Sequence, residues 1–199
     1  MDDTTGDVDG LRRQFAFLAE IDGLKAVLRQ NRTIGEGRRE NSAEHSWHLA
    51  MFALVLGEHA PGIDLGRVVT MLLLHDIVEI DAGDVPIHGH YDAAALAFIE
   101  AAAADRIFGL LPDPQRDRFL ALWREFEAVE TAEARFAKML DRLQPLLLNT
   151  LTGGGTWAEN GLTLAQVLAR YLPVVERGAP SLLPHVEGMI RRHYAAEGA

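Results

Sequence analysis

The stretch VVTMLLLHDIVEIDAGDVP, residues 68–86, decides how this chain is read. Seven apolar or neutral residues run up to His75, and four acids, Asp76, Glu79, Asp81 and Asp84, follow within nine positions. This density of apolar residues predicts a buried helix, capped by Asp64 and carried to about Ile80. A buried helix that runs into uncompensated carboxylates is costly unless protein cations or a metal ion meet them. On a helix, Glu79 lies four residues after His75 and three after Asp76, so it shares a face with both. A His–Asp pair supplies two ligands to a hard or borderline divalent cation, which needs about four to six in all, waters included.

Helical spacing continues on both sides. Leu11, Phe15, Leu18, Ile21, Leu24 and Leu28 mark a helix within 11–30, and NSAEHSWHLAMFALVLGEHA opens with Asn41 or Ser42 as N-cap and stops at Pro61-Gly62. Gly83 and Pro86 impose a loop, and further helices are expected over 91–110, 113–128, 130–150, 162–176 and 181–196. Pro145 cannot donate to the carbonyl of residue 141, so the 130–150 helix is expected to kink or to end there. No alternating pattern is long enough to mark a strand. LTGGGTWAENG, residues 151–161, is expected to be a loop, and it lacks the Gly-Lys-Ser/Thr ending of a phosphate-cradling loop. The expected fold class is all-α, in one domain.

Composition narrows the function. The 199 residues can bury one sizeable core, and 48% hydrophobic with 24% charged residues is ordinary for a globular protein. A net charge of −10 argues against nucleic acid as a partner. The absence of cysteine excludes disulfides and thiolate sites, so any metal must use His, Asp or Glu, and a cytoplasmic location is expected. The acidic N-terminus, MDDTTGDVDG, lacks the features of a signal peptide, and residues 1–10 are expected to form a flexible, solvated tail. No apolar run reaches the roughly 18–20 residues of a membrane span, so no membrane partner is expected. One basic cluster stands out. LRQNRTIGEGRRENS carries Arg29, Arg32, Arg38 and Arg39, whose guanidinium groups suit bidentate binding of phosphate oxygens or form a solvated loop.

Two further residues could complete a metal site. His45 follows Glu44 early in its helix and reads as a ligand or a satisfied core histidine. Asp141 lies among the expected core residues Phe136, Met139, Leu140 and Leu143, and reads as a ligand or as a surface ion-pair partner of Lys138 or Arg142. The order His45, His75-Asp76 about 30 residues on, and Asp141 about 65 later resembles the H…HD…D signature of the HD-domain metal-dependent phosphohydrolases. The wording RRENSAEHS, LLLHDIVEIDAGDVP and AEARFAKMLDRLQPLL is similar to three blocks of the branch that contains the HD-domain 5′-deoxynucleotidases.

The resemblance implies a single HD-domain helical bundle over 11–199, with a metal-site core at about 24–150 and C-terminal helices over 161–196. It implies one divalent metal ion (Mn, Co, Fe, Ni, Zn or Mg) on His45, His75, Asp76 and Asp141. The implied reaction is phosphate release from a (deoxy)nucleoside 5′-monophosphate, and a homodimer is the common assembly. Residue by residue, Glu79 matches the carboxylate that orients or deprotonates the attacking water. Asp84 matches the acid near the sugar and scissile phosphate, and Arg29 the arginine of the substrate pocket. Arg32 and Arg39 are added as phosphate contacts on residue type. Gln30 departs from the family pattern, where a well-known bacterial member has tryptophan. Other readings are an HD phosphodiesterase, a hydrolase of another small phosphate ester, or a metal-binding regulatory module without turnover; the last has no need of Glu79. His48 is expected in a core or supporting role, His88 and His90 are the candidates for a second metal, and His59, His185 and His193 are expected at the periphery.

Overall fold

The computed structural model describes residues 4–35, 37–85 and 92–197. Helix α1 (Thr4–Glu20) already occupies part of the expected tail: Val8 is exposed as anticipated, but the backbone is helical from Thr4. Acids near a helix N-terminus complement its dipole, and Asp9 accepts from Arg12 Nη2 at 2.7 Å one turn on. A 3₁₀ turn (Ile21–Ala26) follows. Where the spacing predicted helix as far as residue 30, the chain instead forms β1 (Leu28–Arg32), paired antiparallel with β2 (Arg39–Asn41). Strands of five and three residues are too short to show an alternating pattern in the sequence.

Helix α2 (Ser42–Leu56) begins at a reciprocal cap: Asn41 Oδ1 accepts from the Glu44 amide at 2.9 Å, and Glu44 Oε2 accepts from the Asn41 amide at 3.1 Å. This arrangement satisfies two otherwise orphaned donors and fixes the turn that carries Ser42 and His45. Asp64 caps α3 (Leu65–Leu74) as expected, accepting from the Arg67 amide at 3.0 Å. The helix does not run on to residue 80. It tightens into a 3₁₀ turn (His75–Val78) and then a single turn, α4 (Glu79–Ala82). The 3₁₀ turn carries His75 and Asp76, and Glu79 opens the turn that follows it. Gly83, at φ 74°, takes the left-handed backbone that turns the chain toward Asp84.

Helices α5 (Ala93–Phe108), α6 (Asp113–Ala128), α7 (Ala132–Leu151), α8 (Gly155–Glu159), α9 (Leu164–Gly178) and α10 (Leu183–Glu197) complete the bundle. The 151–161 segment, expected as loop, contains α8, whose Trp157 is buried. Helix α7 lies at the centre, packed by α2, α3, α6 and α9, with Phe136, Met139, Leu140 and Leu143 in the core as expected. It continues through Pro145 rather than breaking. Asn149 on α7 ties three elements together, because its Oδ1 accepts from the Thr156 amide at 3.0 Å and from Asn31 Nδ2 of β1 at 3.4 Å. A Cβ on Gly155 would sit 2.5 Å from that oxygen, so the clasp requires glycine there. Through Asn149 the small sheet is anchored to the bundle, with Arg29 on its first strand.

Gly178 closes α9 against α7, and a Cβ there would overlap the Met139 side chain and lie 3.0 Å from the Arg135 carbonyl oxygen. Gly178→Ala is expected to destabilise the fold by about 1–3 kcal/mol, the usual scale of overpacking. Gly188→Ala on α10 meets only the movable end of Arg192 and should be neutral or stabilising by up to about 1 kcal/mol. Urea denaturation of both variants checks the contrast, and equal midpoints would remove the close α7–α9 approach from the account.

Candidate metal centre

The end of α3, the start of α2 and the middle of α7 bring His45, His75, Asp76 and Asp141 together beneath a cavity of about 360 Å³. His75 Nδ1 faces the Leu72 carbonyl at 2.8 Å; since a carbonyl only accepts, Nδ1 carries a proton, which leaves Nε2 as the nitrogen that an ion displacing its proton would take. That Nε2 is buried without a hydrogen bond, although Asp76 Oδ1 stands 2.9 Å away and Asp141 Oδ1 3.8 Å away. His45 Nε2 lies 3.2 Å from Asp141 Oδ1 and 3.9 Å from Asp76 Oδ2. The ligand atoms of His45, His75 and Asp76 all fall within 4.8 Å of one another.

Electrostatics tests whether a cation fits. Burial alone would push the His75 imidazole down, yet the carboxylates of Asp76 and Asp141 raise it to about 10. Burial likewise works against ionisation of Asp141, and the imidazoles of His45 and His75 hold it well below the usual carboxylate range. Asp76 is lowered too, against its burial, by His75 and Arg29. These groups demand positive charge among them. Two imidazole nitrogens and two carboxylates, one nitrogen of them orphaned and buried, are a donor set that suits a divalent first-row metal. The residues present therefore fit the group.

Arg29 reaches the site from β1. Its Nη1 lies 2.9 Å from Asp76 Oδ2, 3.4 Å from Asp84 Oδ1 and 3.7 Å from Glu79 Oε1. Burial opposes its charge, but the surrounding acids outweigh that and raise its pKa further, so the guanidinium is a fixed charge. Burial, with Asp76 and Asp84 nearby and Arg29 opposing, raises Glu79 to about 8. Ser42 Oγ donates to Glu79 Oε2 at 2.6 Å and orients it. Burial also raises Asp84 above its ordinary value, against the pull of Arg29.

The structure thus gathers the expected Arg29, His45, His75, Asp76, Glu79, Asp84 and Asp141, and Gln30 lines the same cavity. It does not bring Arg32 or Arg39 there. Arg32 turns away to Glu159 at 3.0 Å, Arg38 pairs with Glu44 at 2.7 Å, and Arg39 is exposed on β2. His88 and His90 lie outside the described residues. Lys138 and Arg142, which the sequence offers only as ion-pair partners of Asp141, also line the cavity. Lys138 instead pairs with Glu127 at 3.3 Å and stands 4.2 Å over the Phe126 ring. Its position one turn before Asp141 on α7 was the available signal.

A model of the HD domain matches residues 21–183. The human 5′-deoxynucleotidase HDDC2 is 30% identical over 139 residues, covering 69% of this chain and 67% of that protein. The 5′-deoxynucleotidase YfbR of Shigella flexneri is 29% identical over 140 residues, covering 66% of this chain and 69% of that one. The crystal structure of a predicted metal-dependent phosphohydrolase from Magnetospirillum magnetotacticum MS-1 superposes with a TM-score of 0.88 at 48% identity, covering 94% of this chain and 96% of that one.

Asp76 touches both the histidine pair and Arg29, so Asp76→Ala should lower bound metal from near one equivalent to a small fraction while the protein remains helical. Elemental analysis beside far-UV circular dichroism measures this. Equal metal content in wild type and variant would remove Asp76 from the ligand set.

Proposed function

The chain belongs to the HD-domain family of metal-dependent phosphohydrolases, and from that premise we propose that it releases phosphate from nucleoside 5′-monophosphates, deoxynucleotides among them, using one divalent ion. The observation that carries this reading is the convergence of three things on one buried cavity: the metal-ligand set, a fixed guanidinium, and a carboxylate raised to about 8. No helix among the described residues is long and apolar enough to cross a membrane. The cavity is of a size that suits small molecules.

A divalent ion supplies charge neutralisation for the phosphate and activation of water. The protein's own groups do the rest. Arg29 offers guanidinium donors to phosphate oxygens, and Lys138 and Arg142 add positive charge on the α7 side. Glu79, oriented by Ser42 and held near neutral titration, accepts the proton of the attacking water. Asp84, which lines the cavity after Gly83, accepts from a sugar hydroxyl. A metal-supplemented phosphate-release screen over ribo- and deoxynucleoside monophosphates tests the reading, and no release from any of them with any of the six metals would overturn it.

Glu79→Gln keeps the shape and an oxygen to accept from Ser42, but not the basicity. It should retain metal and melting temperature while losing about 10²–10⁴-fold in kcat. Single-turnover phosphate release measures the loss, and activity within a few-fold of wild type would end the assignment of Glu79 as base.

Gln30 lines the cavity beside Arg29, at the position where the resemblance implies tryptophan. A glutamine cannot exclude a ribose 2′-hydroxyl with a flat apolar face, and apolar rejection of one hydroxyl is worth only on the order of 10²-fold. Preference for dAMP over AMP in kcat/KM is therefore expected below about 10²-fold. A larger preference that persists in Gln30→Trp would place the discrimination elsewhere.

A further inference from the structure

Gln144, on α7 one turn beyond Asp141, is fully buried, as is His45, and Glu40 of β2 is nearly so. The three form a chain. Gln144 Nε2 donates to Glu40 Oε1 at 2.7 Å, which fixes the amide, because a carboxylate oxygen accepts and the amide nitrogen must face it. The same nitrogen lies 3.2 Å from His48 Nδ1, so both amide hydrogens have a place. The Gln144 carbonyl oxygen is thereby turned to His45 Nδ1 at 3.1 Å. The other oxygen of Glu40 lies 3.6 Å from that nitrogen. Both polar groups facing His45 Nδ1 are thus acceptors, and the proton must sit there. Nε2 is then the lone-pair nitrogen, and it faces Asp141 and Asp76 at 3.2 and 3.9 Å.

We propose that Gln144 is a positioning residue for metal binding: anchored by Glu40, it holds His45 as the Nδ1–H tautomer and aims Nε2 at the ion. Such outer partners orient an imidazole ligand and raise its basicity, and losing one typically costs about 10–100-fold in metal affinity. His75 obtains the same result from a backbone carbonyl, Leu72 O, which no substitution of Leu72 removes. His45 depends on side chains, so its alignment is open to test. The proposal rests on the reading of His45, His75, Asp76 and Asp141 as the metal ligands.

Zinc serves as a diamagnetic probe. Gln144→Met preserves approximate volume and removes both the acceptor and the amide donors. It is expected to weaken zinc binding by the folded protein about 10–100-fold in chelator competition, and to lower the metal-free melting temperature as well, because the buried Glu40 loses its donor. The double exchange Glu40→Gln with Gln144→Glu rebuilds the chain with reversed polarity. The new amide at 40 donates to the new carboxylate at 144, which accepts from His45 Nδ1–H, while His48 answers by carrying its proton on Nδ1. Zinc affinity should return to within a few-fold of wild type, a recovery that a purely packing role for Gln144 would not produce. In ¹⁵N-histidine spectra of the zinc-loaded wild type, His45 should show a protonated Nδ1 and a metal-bound Nε2. Wild-type zinc affinity in Gln144→Met, or ligation of zinc through His45 Nδ1, would overturn the proposal. The spectra decide the matter even if Gln144→Met fails to fold. A wild type that binds no zinc would instead overturn the metal reading beneath it.

Discussion

The site is organised by one constraint: four carboxylates, Asp76, Glu79, Asp84 and Asp141, share a buried space whose central fixed cation is Arg29. Carboxylates moved out of water demand compensation, and the protein provides it with what it has. His75 is driven toward its protonated form, Glu79 is pushed up to about 8, and Arg29 is drawn to within 2.9 Å of Asp76. Each of these responses marks a place where added positive charge would be welcome. The local structure serves the same end. The tight turn at 75–78 carries His75 and Asp76, the positive-φ Gly83 leads into Asp84, and the two-stranded sheet brings Arg29 to Asp76, Glu79 and Asp84.

Much of this was legible in the sequence, because the signals were either periodic or ordered. Helices α2, α6, α7, α9 and α10 followed from spacing and caps, with ends within about two residues except where α2 closes, since capping side chains and apolar periodicity are local properties. The HD pair, His45 and Asp141 were found through their order along the chain. What escaped notice depended on neighbours distant in sequence. The hairpin at 28–41 is held by Asn149, more than a hundred residues away, and nothing local announces it. Arg32 and Arg39 stood beside Arg29 on residue type alone, and residue type says nothing about which side of a short strand faces inward. The tightening after Leu74 also escaped, since 3₁₀ and α turns share nearly the same apolar pattern over four residues.

Glu40 and Gln144 illustrate the same limit from the other side. Each looks like an ordinary polar residue in an ordinary place, and their meaning lies in a chain of contacts that joins β2 to α7 and α7 to α2. Glu40 also approaches Arg29, with Oε2 at 4.0 Å from Arg29 Nε, and both of those buried atoms lack a hydrogen bond. One carboxylate thus stands between the support of a metal ligand and the arginine proposed to meet phosphate.

Charge also sets an order of assembly on the proposed reading. A phosphate monoester arrives as a dianion at a space already rich in carboxylates, and Arg29 alone does not reverse that sign. Lys138 and Arg142 help from α7, but Lys138 is partly committed to Glu127. A divalent ion at the ligand set changes the balance, and because burial weakens screening, its effect on an incoming anion is larger than it would be at a surface. Substrate affinity is thereby conditional on the metal. Linkage then requires the converse: bound nucleotide must tighten metal binding by the same factor, since the coupling free energy belongs to the pair and not to either ligand. The excess of acid that makes the empty cavity hostile to phosphate is what makes the metal-loaded cavity selective for the assembled complex.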